Sequence, residues 1–418
     1  MNIKELVAPH FEELVRLRRY FHEHPEQSGK ELATIAYLEQ YLKELNLVPT
    51  IVDDGGIFAV LDSGKPGKTL LLRADVDALP VPESSRNLKG AKACCSTVEG
   101  YSHACGHDCH MAMNMVAGKI LAQHKELWQG KIILCFERGE EIAGNIKNLL
   151  PYLVEKSGQA IDGCYATHVR WDIPAGKVSL SPGAVMAGGF GFSLKLKGIF
   201  GHGARPDLAN NPTDCFVAIY NDLNACRMRS VSPYECLTFS IGQLHGGKQI
   251  NVIPGELTFG GTSRFFSLKN AGQHFMDTLQ ASVEHNCAIY NCSYEIEHMP
   301  DPLYEVYNNE ACAALGRKAI SASLGADALF EASSWMASET YSLYAQIFPG
   351  VLSFTGIANP DLGSGANHHT PEFDVDEKGL LAGATMAVSY AIAFLTQNIT
   401  TNFVKNTEPI KKLAARNI

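Results

Sequence analysis

The chain has 418 residues, of which 46% are hydrophobic and 19% charged, with a formal net charge of −9. That length predicts about two to three domains with a sizeable core, and the acidic balance excludes general nucleic-acid binding, which needs a basic face. Twelve cysteines lie scattered along it. Cys135, Cys164, Cys226 and Cys236 sit in apolar runs and are expected as buried thiols, unlike the disulfide framework of a small secreted domain.

In chain order, Ile3 to Leu45 predicts two helices broken at "HEHPEQSGK", the first charged and amphipathic, with no apolar signal core. "FAVLD" and "TLLLRADV" predict short buried strands. "YSHACGHDCH" precedes a helical stretch, "HMAMNMVAGKILAQH", and "GKIILCFERGEE" and "AIDGCYATHV" predict two more strands. Strands alternating with helices point to an α/β domain with a mixed or parallel sheet.

The texture changes near Gly183. "GGFGFSLKLKGIF" alternates at Phe190, Phe192, Leu194 and Leu196, the period of a half-exposed strand. A helix over Pro212–Met228, strands "LTFSIGQLHG" and "GELTFGGTSRFF", a helix over Lys269–His285 and a strand "CSYEIEH" follow. That βαββαβ order predicts a ferredoxin-like α+β domain over 185–299, inserted into an α/β domain formed by 1–184 and 300–418. The inserted domain is expected to serve as a lid. The late apolar run Leu380–Leu395 is shorter than the ~20 residues a membrane span needs and predicts a packed helix. No membrane association is expected, and a reducing cytoplasm is the expected compartment.

Sites in open α/β sheets form at the carboxyl ends of strands. Polar clusters end apolar runs at Asp75 and Asp77, at Glu140 and Glu141, and at His168; Cys105 and His107 lie in a run that precedes a helix, and His368 and His369 in a loop before the last helix. Taken singly, each has a plain reading: a helix cap, a solvated turn, a hydrogen-bonded core histidine. Taken together they suggest a metal site, because thiolate and imidazole suit zinc and its neighbours. No paired C-x-x-C motif is present to build a closed structural zinc site. Carboxylates and distant histidines instead suit a catalytic site, with one glutamate binding metal while its neighbour stays free as a base. A thiol enzyme, with Cys105 as nucleophile and His107 or His110 as base, would leave Glu140, Glu141, His168 and His369 idle.

The blocks "LRRYFHEHPEQSGKE", "LLLRADVDALPVPE", "HACGHDCHMAM", "THV", "GHGARP", "GGKQINVIPGE" and "HHTPEFDVDE" occur in an order that resembles the M20 family of metal-dependent amidohydrolases and peptidases. The branch it is most similar to contains N-acyl-amino-acid, hippurate and auxin-conjugate hydrolases. The resemblance implies a zinc-peptidase-like α/β catalytic domain with a ferredoxin-like lid that also dimerises. It implies two divalent ions per subunit, zinc first, with manganese, cobalt or nickel as the other candidates. Cys105, His107, Glu141, His168 and His369 match the metal ligands, His369 ahead of His368. Glu140 matches the catalytic base and Asp77 an acid that orients a ligand histidine. His202 matches a histidine that reaches a neighbouring subunit's site, and Asn251 and Arg264 match residues that hold substrate oxygens.

The activity implied is hydrolysis of the amide of a small N-acyl amino acid. A dipeptidase, an aminobenzoyl-glutamate hydrolase and a non-catalytic acyl-amino-acid-binding protein are the alternatives. One departure stands out. Where the family reads "FQPAEEGGGGA", this chain reads "FERGEEIAGNI".

Overall fold

The computed structural model describes residues Asn2–Asn417. In chain order its elements are α1 (Ile3–Val7), α2 (Phe11–Glu23), α3 (Leu32–Glu44), β1 (Pro49–Val52), β2 (Gly56–Asp62), β3 (Thr69–Asp75), α4 (His107–Gln123), β4 (Lys131–Glu137), α5 (Ile146–Glu155), β5 (Gly163–Pro174) and β6 (Val178–Ser179). There follow β7 (Gly183–Met186), β8 (Gly188–Lys197), β9 (Gly201–His202), α6 (Pro212–Arg229), β10 (Leu237–Gly246), β11 (Val252–Ile253), β12 (Glu256–Phe265), α7 (Gln273–Ile289) and β13 (Ser293–His298). The last are β14 (Val306–Asn308), α8 (Glu310–Leu324), α9 (Tyr341–Ile347), β15 (Gly350–Ala358), α10 (Lys378–Thr396) and α11 (Ile410–Leu413).

The chain divides into two compact units. The larger comprises the residues up to Gly183, Tyr307–Ser333 and Leu343–Ala415. Its seven-stranded sheet has the order β1-β2-β4-β3-β5-β15-β6. The central strands β4, β3, β5 and β15 run parallel, while β1, β2 and β6 pair antiparallel at the flanks. β3 and β4 are almost wholly buried, which is why they read as unbroken apolar runs instead of alternating ones. α10 is apolar all round because it is a core helix, packed on α4 and α8. It is also long and apolar enough to cross a membrane, but 83% of its most apolar window is buried within the fold. The expected N-terminal helix is interrupted: Pro9 sits in a short 3-10 turn between α1 and α2, since it has no N–H to continue the α-helical ladder.

The second unit holds Ala184–Val306, Ser334–Ser342 and the residues from Arg416 onward. Its antiparallel sheet, β10-β12-β8-β13, carries α6 and α7 in βαββαβ order. Phe190, Phe192, Leu194 and Leu196 of β8 face a separate core with Phe216, Phe259 and Phe275. The unit reaches beyond the expected 185–299. Leu303 bonds back to Gly189, and the Ala187 N–H is shared by the carbonyls of Trp335 and Ala337. All twelve cysteines are free, and Cys236 is exposed, unlike Cys135, Cys164 and Cys226.

Candidate metal centre

The first turn of α4 lies inside the decapeptide that the sequence reading placed ahead of it. The helix starts at His107, so His107, Asp108 and His110 project from rigid helical positions. It starts on Gly106, which has φ +87, where a Cβ would stand 2.3 Å from Val169 Cγ2. A glycine is therefore needed between Cys105 and His107. No Ser, Thr, Asp or Asn cap announces this helix start, which is why pattern alone sets it too late.

His168 also sits differently from expectation. It lies midway along the 12-residue β5, not at its end. β5 runs on because β15 pairs with it as far as Pro174, whereas β3, its other neighbour, pairs with it only to Ala166. His168 thus emerges near the level at which β3 gives way to Asp77.

These elements bring five expected ligands together. One donor atom each from Cys105, His107 and His168 lie within 4.8 Å of one another, and the same holds for Cys105, Glu141 and His369, and for His107, Glu140 and Glu141. Cys105 Sγ is 3.5 Å from His168 Nε2. Glu141 Oε1 is 3.3 Å from His369 Nε2 and 3.8 Å from His107 Nε2. His369 is held in a left-handed turn, φ 61, with its N–H on the Ala104 carbonyl. His368 belongs to none of these groups; its ring packs against His168 and Phe373. His103, the remaining histidine of the decapeptide, is buried with neither ring nitrogen hydrogen-bonded among the described residues, and burial lowers its pKa to about 4.

The partners behind the ligands fix which nitrogen faces inward. His107 Nδ1–H donates to Asp77 Oδ1 at 3.0 Å, and His168 Nδ1–H to the Val169 carbonyl at 2.6 Å. Each ring is left with Nε2 toward the cluster. Asp77 Oδ2 accepts from Ser28 Oγ at 2.6 Å and from the Glu141 N–H at 2.9 Å. Burial would raise the Asp77 carboxyl, but His107 and these donors hold it below its ordinary range. Sequence reasoning missed a second relay: Asp75 Oδ1 takes His110 Nδ1–H at 2.5 Å, and His110 Nε2 accepts the Val169 N–H at 2.9 Å. The signal was present as an aspartate closing β3 and a histidine one helical turn after His107.

The donor set fits divalent cations. Among the described residues, buried His107 Nε2 and Glu141 Oε1 have no hydrogen-bond partner, although polar atoms this deep are ordinarily satisfied. Burial tends to lower the His107 pKa, yet Asp75 and its other acidic neighbours drive it well up, whereas burial and the neighbouring histidines drive that of His168 well down. Burial, then Glu141, push the Cys105 thiol well above its ordinary value. A thiol held protonated is a poor nucleophile, whereas a cation would reverse that balance.

Beneath the cluster, Arg18 Nε and His22 Nδ1 both donate to Asp108, each at 2.8 Å, and His22 Nε2 reaches Glu83 at 2.9 Å. Burial would raise Glu83, but His22, Lys92 and the Ser96 N–H outweigh it and bring it from 4.5 down to about 2. A depressed carboxyl contributes stability that is complete above the unfolded value and lost as pH falls toward the folded one. Glu83→Gln should therefore flatten the loss of stability between about pH 4.5 and 2 in acid unfolding followed by circular dichroism. An unchanged pH profile would contradict this.

In the second unit, His202 is exposed on β9 and pairs with Val252 of β11, and the Gly203 N–H donates to the Asn251 carbonyl at 2.8 Å, so His202 and Asn251 are neighbours. Arg264 lies half-buried on β12. Its guanidinium bonds the Ser263 carbonyl at 3.0 Å and meets no carboxylate among the described residues, and burial lowers its pKa.

The family model for peptidase family M20/M25/M40 matches residues 71–393. The chain is 30% identical over 386 residues to the putative amidohydrolase YhaA of Bacillus subtilis (strain 168), covering 92% of this chain and 95% of that one. It is 29% identical over 393 residues to the IAA-amino acid hydrolase ILR1-like 2 of Arabidopsis thaliana, covering 93% and 86%. Among solved structures, the Bacillus subtilis YXEP protein, described as a dinuclear metal binding peptidase, superposes with a TM-score of 0.77 at 26% identity, covering 93% of this chain and 99% of that one.

Proposed function

The chain belongs to peptidase family M20/M25/M40, and on that premise we propose that it hydrolyses the amide bond of N-acyl amino acids or similar amino-acid conjugates. It is a metal-dependent amidohydrolase in this reading. The observation that carries it is the convergence of Cys105, His107, Glu141, His168 and His369, drawn from distant parts of one unit, with Glu140 beside them.

Those five residues would hold two divalent ions, with zinc favoured by the cysteine. When bound, the ions supply Lewis acidity and bring the pKa of the attacking water toward neutrality. Glu140 takes the water's proton and returns it to the leaving amine. Asp77 is a positioning residue, fixing the His107 ring and the Glu141 backbone. Arg264 pairs in a fork with the substrate's carboxylate, Asn251 holds a substrate oxygen, and His202 donates to the oxygen that becomes negative.

His202 acts in a neighbouring subunit, so a homodimer through the second unit is part of the proposal. Strand β10, on the outer edge of its sheet, supports it. An unpaired edge is a template for pairing with another chain, and Leu244 and Ile250 stand exposed on or beside it. A cytoplasmic location rests on the free cysteines alone.

The test is a panel of N-acyl amino acids and dipeptides, assayed with and without chelator on protein whose association state is set by sedimentation. Turnover of the acyl amino acids, abolished by chelator and restored by zinc or manganese, is expected. Turnover that survives chelation would favour Cys105 as nucleophile. Preferred cleavage of dipeptides would move the substrate class, and a monomer active at assay concentration would remove the role of His202 across subunits.

A further inference from the structure

The segment that departs from the family's usual wording carries an anchor of its own. Arg138 is buried. Its Nε donates to Glu31 Oε2 at 2.8 Å, its Nη2 to the Gly29 carbonyl at 2.8 Å and its Nη1 to Asp54 at 3.4 Å, while its backbone N–H donates to the Gly55 carbonyl at 3.1 Å. Glu31 is fully buried too. Its second oxygen accepts the N–H groups of Gly29, at 2.6 Å, and of Gly139, at 2.9 Å. Gly139 immediately precedes Glu140 and is left-handed, φ 65, with Asn145 so close that a Cβ would stand 2.4 Å from its side-chain oxygen.

The same N-terminal loop reaches the cluster from the other side. Ser28 donates to Asp77, which accepts the Glu141 N–H. The loop is itself fastened to the segment after β3: the Ala78 N–H donates to the Glu26 carbonyl at 2.9 Å, and the Ser28 N–H to the Ala78 carbonyl at 3.2 Å. The two glutamates are thus gripped at both ends, by Arg138–Glu31 through Gly139 and by Ser28–Asp77 through Glu141.

We propose that Arg138 and Glu31 act as one positioning pair, setting the backbone of Glu140 and Glu141 and so the direction of both carboxylates. A buried ion pair is a weak source of net stability, because desolvation offsets much of the attraction. What a guanidinium adds is direction, since its planar fork fixes several acceptors at once where a lysine offers a single point charge. Here the fork ties Glu31 and the Gly29 carbonyl to the residue two places before Glu140. This inference rests on the reading of the cluster as a hydrolytic metal site.

The test compares R138K, E31Q and the double variant with the parent chain. It uses three readouts: affinity for Zn²⁺ alone by calorimetry on chelator-stripped protein, kcat and KM separately, and thermal unfolding. R138K and E31Q should each lose about 10- to 100-fold in Zn²⁺ affinity or in kcat, the usual consequence of disturbing groups behind metal ligands. KM should change little, and the double variant should be no worse than the poorer single one. Parent-like Zn²⁺ affinity and kcat in R138K would overturn the proposal, as would losses that multiply in the double variant. Should R138K not fold, E31Q, which keeps an acceptor for Gly29 and Gly139, carries the same comparison. If the parent binds Zn²⁺ but cleaves no amide, the hydrolase reading fails, while the pair is still judged on affinity.

Discussion

Glu140→Gln should lower kcat on an N-acyl amino acid by about 10²–10⁴-fold, the usual worth of a positioned general base. Glutamine keeps the size and one acceptor oxygen but cannot take a proton. Metal content and melting temperature should stay near the parent's, because Glu141 is the glutamate grouped with Cys105 and His369, and glutamine keeps an oxygen at position 140 beside His107 and Glu141. Steady-state kinetics on metal-loaded protein decides it. A loss below tenfold would remove Glu140 from the proton transfer.

Asp77→Asn should be the next most damaging change, for a different reason. One buried carboxylate accepts His107 Nδ1–H on one oxygen, and Ser28 and the Glu141 N–H on the other. An amide offers one acceptor and turns a donor toward at least one of these donors, leaving a buried polar group unsatisfied at a cost of about 1–3 kcal/mol. His107 is then free to turn or to change tautomer, and the Glu141 backbone loses its anchor. Metal affinity should fall by about 10- to 100-fold, measured by competition with a chromogenic chelator. Undiminished affinity would mean that Asp77 orients nothing.

How much of this was legible in the sequence follows from the range of each interaction. β3 and β4 were readable because strands buried on both faces leave continuous apolar runs. The alternation of β8 was readable because one face meets its own core. The candidate ligands were visible as polar clusters at strand or loop ends, and the resemblance sorted them into roles. What escaped depends on partners far away in the chain. β5 passes His168 because β15 supports it. The His110–Asp75 contact spans 35 positions and the Arg138–Glu31 contact 107, so no local pattern announces either. The start of α4 was hidden for a local reason: its cap is a left-handed glycine with no capping side chain. Ser334–Ser342 joins the second unit through backbone bonds at Trp335 and Ala337, which leave no periodic trace.

The most direct examination of the account is a count of metal. After the protein is stripped with chelator and dialysed against zinc, elemental analysis should find two ions per chain, and a Cys105→Ala/Glu141→Ala variant should retain neither. Zinc no higher in the parent than in that variant would contradict the convergence of ligands on which the proposed chemistry stands.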